Sequence, residues 1–144
     1  MLQIGEVADR VGLSLRTVRY YEEMGLLVPA RRTEGGFRLY TEEEVERLGL
    51  IKQMKPLRFT VQQMRDLLDA RDALRNPATG PADRAAARDQ LEEFSTTAAD
   101  SCKQLRRQLD LAEEFAAGLR NEARRSLGSI LGGSSPLAYA PPVR

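Results

Sequence analysis

The side chains best able to do chemistry in this 144-residue chain are arginines close to tyrosines. Arg16, Arg19 and Tyr20 fall within "RTVRYYEEMGLL", and Arg31, Arg32, Arg38 and Tyr40 within "PARRTEGGFRLYT". A guanidinium is a planar fork of five donors that stays charged at any working pH. It grips anions and polarised base edges, so the chemistry on offer is recognition rather than bond-making. The rest of the composition agrees. There is no histidine and one cysteine, Cys102, which removes the commonest general base and most of a zinc, copper or iron ligand set. No glycine-rich phosphate loop and no serine in an elbow motif occur. The sequence therefore predicts no catalytic residue, no metal site, no cofactor and no enzyme.

The net charge is only +1, so binding of an anion must rest on where the charges lie. No apolar run approaches the roughly 20 residues needed to span a bilayer, and "MLQIGEVADR" lacks the basic-then-apolar layout of a signal peptide. No membrane partner and a cytoplasmic location are expected, with no internal disulfide from a lone cysteine.

Short elements must present the arginines. Ile4, Val7, Ala8 and Val11 recur at helical spacing up to Gly12, a stop. Ser14 then caps a second helix from about Leu15 to Met24, with Leu15 and Val18 inward and Arg16, Thr17, Arg19 and Tyr20 outward. Two helices across a tight turn make a helix-turn-helix. Leu26–Val28 is expected as a strand, and "EGG" followed by "FRLY" as the turn and return strand of a β-hairpin wing carrying Arg31, Arg32 and Arg38. Thr41 with Glu44 and Thr60 with Gln63 each form a capping-box pattern ahead of an amphipathic helix, and Pro56 ends the first of these. Residues 1–75 thus read as a small domain of four helices and a hairpin, followed by a linker loop, 76–81.

From 82 to 127 there is no proline, and apolar residues recur at Leu91, Phe94, Ala98, Cys102, Leu105, Leu109, Ala112, Ala116 and Leu119. Spacings alternating between three and four make a coiled-coil seam for dimerisation. A helix of ~65 Å cannot bury such a stripe against 75 residues, so it needs a partner. "FSTTAAD" (94–100) is the place for a break, and 128–144 reads as a flexible tail, with Leu137 and Tyr139 as docking candidates. The fold class is mainly α, a winged helix-turn-helix followed by a long dimerisation helix.

Residues 2–68, which include "IGEVADRVGLS" and "VQQMRDLL", resemble the MerR family of bacterial transcription regulators. The most specific pieces are "TVRYYEEMGLL", "GGFRLYTEEEV" and the "F-T-x-x-x-M" opening at Phe59. The resemblance implies a homodimer joined by an antiparallel coiled coil, binding double-stranded promoter DNA at an inverted repeat. It implies distortion of that DNA, so that RNA polymerase is reached indirectly through the promoter. Ser14, Arg16, Thr17, Arg19 and Tyr20 would then serve the major groove. Tyr20 and Tyr21 divide their labour, one hydroxyl at a phosphate and the other ring under the wing. Arg31, Arg32, Arg38 and Tyr40 would hold the flanking backbone, and Thr60 would offer hydroxyl and amide to a phosphate. Arg58 stands where the family usually has glycine. Either it adds a phosphate contact or the turn has another shape.

Metal-sensing members of the family pair cysteines at the end of the long helix, and this chain has none there. Cys102 in the seam is expected to be a small buried apolar residue. A small organic effector, a protein partner, or no effector at all stay open, as do activation and repression.

Overall fold

The computed structural model describes residues 1–132, with side chains to Gly128. The chain divides into two units, the first Met1–Ser101 and the second beginning at Cys102. The expected tail lies for the most part outside the described residues, Leu137 and Tyr139 included.

In the first unit, β1 (Leu2–Gln3) leads into α1 (Ile4–Val11) and α2 (Leu15–Glu23). β2 (Arg31–Arg32) and β3 (Arg38–Tyr40) form the wing, and α3 (Glu42–Met54), a 3-10 turn (Lys55–Leu57) and α4 (Val61–Arg75) follow. α5 begins at Pro81 and runs to Gly132. Gly12 closes α1 at φ 76°, a left-handed conformation that glycine takes without a Cβ clash.

The sheet has three strands rather than a lone hairpin. β3 lies between β1 and β2, with Leu2 opposite Tyr40 and Arg31 opposite Leu39. The strand expected at Leu26–Val28 is absent. Leu26 and Leu27 are buried as core side chains, and their backbone is held from outside: Arg65 donates to the Met24 carbonyl, and Arg47 Nε to that of Leu26 at 2.8 Å. Apolar type and burial do not require strand pairing. Leu15, expected inward, is 43% exposed, because the first turn of α2 precedes the core contact made by Val18 and Tyr21.

The core joins Val7, Val18, Tyr21, Leu26, Leu27, Tyr40, Leu48, Ile51, Met64 and Leu68. The first turns of α5 belong to it as well. Ala87 is buried, Phe94 and Ala98 pack against the cluster, and the Phe94 ring stands 5.9 Å from that of Phe59. Ser101 Oγ donates to the Leu57 carbonyl at 3.3 Å. The unit thus extends past the expected linker. Arg84 seals the α4–α5 turn through the carbonyls of Leu74 and Asn76.

α5 does not break at 94–100. The Thr96 and Thr97 hydroxyls donate to the carbonyls four residues back, Glu92 and Glu93, so both stay satisfied inside the helix. Every side chain from Cys102 to Gly128, Cys102 included, is exposed on the single chain.

Candidate nucleic-acid interface

α2 owes its start to Ser14, whose Oγ accepts from the Thr17 amide at 3.1 Å. The Ser14 and Thr17 hydroxyls also bond to each other at 2.9 Å, so both enter the helix mouth as one linked pair. Along the open side, Arg16, Arg19, Tyr20 and Glu23 line a shallow cavity of about 520 Å³. Arg16, Arg19 and Tyr20 are exposed. Tyr20 and Tyr21 face different ways: Tyr20 is 45% exposed, whereas Tyr21 is core, its hydroxyl pKa raised first by burial.

The wing turns at Thr33–Phe37. Phe37 N donates to Thr33 Oγ1 at 3.1 Å, and Gly36 takes φ 82°. Arg32 Nη1 donates to the Gly36 carbonyl at 3.2 Å, and Arg31 is exposed beside it. Phe37, 66% exposed at the tip, was not singled out by the sequence reading.

Arg38 and Tyr40, two apart on β3, share one face of the strand. Both meet Glu22 near the end of α2. Arg38 Nε donates to Glu22 Oε1 at 2.5 Å, and the Tyr40 hydroxyl donates to Oε2. Tyr40 is fully buried, its pKa raised first by burial and then by the bond to Glu22. The expected Tyr40 contact with a nucleic-acid backbone is therefore corrected. A ring with no exposed surface cannot touch DNA, and its hydroxyl already has an acceptor. Glu22 was not among the expected site residues, yet a signal existed, since it lies four residues after Val18 and so shares its inward side of α2.

At the other end of α3, Arg58 holds φ 61°, the one non-glycine at positive φ among the described residues, and is exposed. The turn thus keeps the left-handed shape that glycine usually supplies. Thr60 caps α4 in a complete box: Gln63 N donates to Thr60 Oγ1 at 3.1 Å, and Thr60 N to Gln63 Oε1 at 2.9 Å. That corrects a second expectation. The Thr60 amide is already engaged, which leaves the hydroxyl proton as its free donor. The first capping box is only half made, because Thr41 accepts from the Glu44 amide while Glu44 Oε2 is buried with no partner.

The expected seam divides. Leu91, Phe94 and Ala98 line a groove of about 300 Å³ in the first unit, with Leu50, Met54, Leu57, Phe59 and Leu67. Cys102, Leu105, Leu109, Ala112, Ala116 and Leu119 are exposed. Among the described residues no three His, Cys, Asp or Glu side chains cluster as a metal site, and no helix is long and apolar enough to cross a membrane.

A helix-turn-helix with an arginine-lined second helix beside a basic wing defines the class of DNA-binding transcription regulators. Residues 2–71 match the MerR HTH family regulatory protein model. The chain is 33% identical to the HTH-type transcriptional regulator YfmP of Bacillus subtilis (strain 168), over 90% of its own length and 97% of that protein. It is 44% identical over 70 residues to the mercuric resistance operon regulatory protein of Bacillus cereus, and spans about half the length of each: 49% of this chain and 53% of that one. The fold matches HiNmlR, a MerR family regulator lacking the sensor domain that was solved bound to promoter DNA. That match has a TM-score of 0.63 and 21% identity, over 92% of this chain and 94% of the other. The chain belongs to the MerR family, whose members are transcription regulators and not enzymes.

Proposed function

We propose that this regulator binds an inverted-repeat promoter operator as a homodimer and distorts the DNA to control initiation by RNA polymerase. The observation that carries the reading is the exposed α2 face, Arg16, Arg19 and Tyr20, next to a wing bearing Arg31, Arg32 and Arg38. Thr17 and Ser14 at the mouth of α2 and Thr60 at that of α4 add hydroxyls suited to phosphate oxygens, and Arg58 adds a cation beside Thr60. The bare stripe from Cys102 through Leu105, Leu109, Ala112 and Ala116 to Leu119 supports pairing with a second copy in an antiparallel coiled coil. Distortion of the operator costs on the order of 1–10 kcal/mol, offset by phosphate contacts from two protomers.

The test is Arg19→Ala on a duplex selected by the wild type from a random-sequence pool. Affinity falls about tenfold, and the slope of log Kd against log salt drops by about one if Arg19 holds a phosphate. Equal affinity and equal slope would remove Arg19 from the interface.

The effector in this reading is not a metal ion. A relative is named for mercuric resistance, but this chain has a single thiol and no imidazole with which to build a soft-metal shell. The apolar groove at Leu91, Phe94 and Ala98 supports a small uncharged organic molecule instead. Calorimetric titration separates the two: tight binding of mercuric or zinc ion that changes DNA affinity would replace the organic reading.

A further inference from the structure

The strongest side-chain cluster outside the expected contact set is the one that Glu22 gathers. Its carboxylate sits near the end of α2 with the side chain 14% exposed, while Arg38 is 31% exposed and Tyr40 fully buried. Both oxygens are used, one by each β3 residue. This placement is costly on two counts. Burying a carboxylate gains little stability over a well-packed apolar side chain. A negative charge also opposes any polyanion that approaches α2 and the wing. What the carboxylate gives that an apolar residue cannot is direction.

Arg38 is bound through Nε alone, so its terminal amino groups remain for a second acceptor. Across the ladder Arg38 faces Arg32, and like charges directly opposite repel. The Glu22 charge offsets that repulsion and fixes which way Arg38 turns.

We propose that Glu22 is a positioning residue for DNA binding: it locks Arg38 of the wing to the end of the recognition helix, so that the Arg38 terminal amino groups meet a backbone phosphate. The proposal rests on the DNA-binding reading above. Tyr40, held by the other oxygen, keeps the carboxylate from rotating out of register.

The test is a double-mutant cycle, with Kd measured by fluorescence anisotropy from about 50 to 200 mM salt on a labelled duplex that the wild type selects from a random pool. R38A weakens binding about tenfold and lowers the salt slope by about one. E22A does the same, and E22A/R38A binds no more weakly than R38A. E22Q, which keeps an acceptor for Arg38 but not the charge that offsets Arg32, loses less affinity than E22A. If circular dichroism shows E22A unfolded, E22D replaces it, one methylene too short to hold both partners. E22A or E22D losses that multiply with that of R38A, or a salt slope unchanged by either, would overturn the proposal while leaving DNA binding intact. A wild type that selects no duplex would overturn both.

Discussion

Residues 1–101 and residues 102–128 are built largely from helix of similar apolar content, and their side chains end differently. Every buried hydrophobic residue among the described ones lies at or before Ala87, with Leu48, Ile51 and Leu68 fully enclosed. Beyond Ser101, Leu109 is 57% exposed, Phe115 70% and Leu119 52%. One continuous helix, α5, contributes to both regions. Its first five turns find partners inside the chain, and its later turns find none among the described residues. The first region specifies its own core. The second carries the pattern of a core and leaves half of it to be supplied from elsewhere, since an isolated helix gains little from propensity alone.

The largest effect should come from breaking the second region. Leu105→Lys with Leu109→Lys removes two apolar contacts per copy. At about 1.5–3 kcal/mol for each buried leucine, four in a symmetric pair amount to about 6–12 kcal/mol, enough to abolish association. Light scattering should give a dimer for wild type and a monomer for the variant, with the near-ultraviolet spectrum of the first region unchanged. A wild-type monomer at micromolar concentration would remove the second copy from the argument.

The converse break lies in the first region. Leu68→Ala empties a fully enclosed site in α4 and should cost about 2–5 kcal/mol in chemical denaturation. The dimer should persist wherever the variant is folded. Loss of both together would mean that the two regions unfold as one.

A subtler probe concerns how well the first region suits its own fold. Arg58 sits at φ 61°, where a side chain costs about 1–2 kcal/mol. Arg58→Gly relieves that strain and loosens the unfolded chain by about 0.4–1 kcal/mol, for a net gain between about 0 and 1.6 kcal/mol. If affinity for the selected duplex falls while stability rises, the arginine is kept for DNA. If affinity holds, the turn alone explains the position.

How much of this was legible follows the same division. Capping residues wrote themselves plainly: Ser14, Thr41 and Thr60 each begin the helix expected of them, because a hydroxyl before an apolar period has a local geometric reason. The exposed face of α2 was legible by periodicity. Tyr40 was not, because a tyrosine in a strand next to arginines is compatible with either face, and only the partner carboxylate on α2 turns it inward. The third strand escaped notice because two residues, Leu2 and Gln3, carry no strand signal of their own. α5 was legible as a helix, but its period could not say that Phe94 and Ala98 would serve the first unit's core. Local chemistry reads well from sequence, whereas the choice of partner depends on residues far apart in the chain.

The smallest expected effect tests the least satisfied atom of the well-packed region. The Glu44 carboxyl is raised above the usual carboxylate range, chiefly by burial, with Arg47 and a backbone hydrogen bond from Val28 pulling the other way. Its Oε2 is buried without a partner. A raised folded-state value means that the protonated form suits the fold better. Its contribution to stability is present below the ordinary value of 4.5 and is lost as pH rises through the folded value. Glu44→Gln keeps the shape without the charge, and so removes the repulsion from Asp72 that otherwise pushes the Glu44 carboxyl further up. Urea midpoints should therefore favour the variant at pH 7 and converge at pH 4. A variant less stable than wild type at pH 7 would show that the carboxylate is held by Arg47 more firmly than it is penalised by burial.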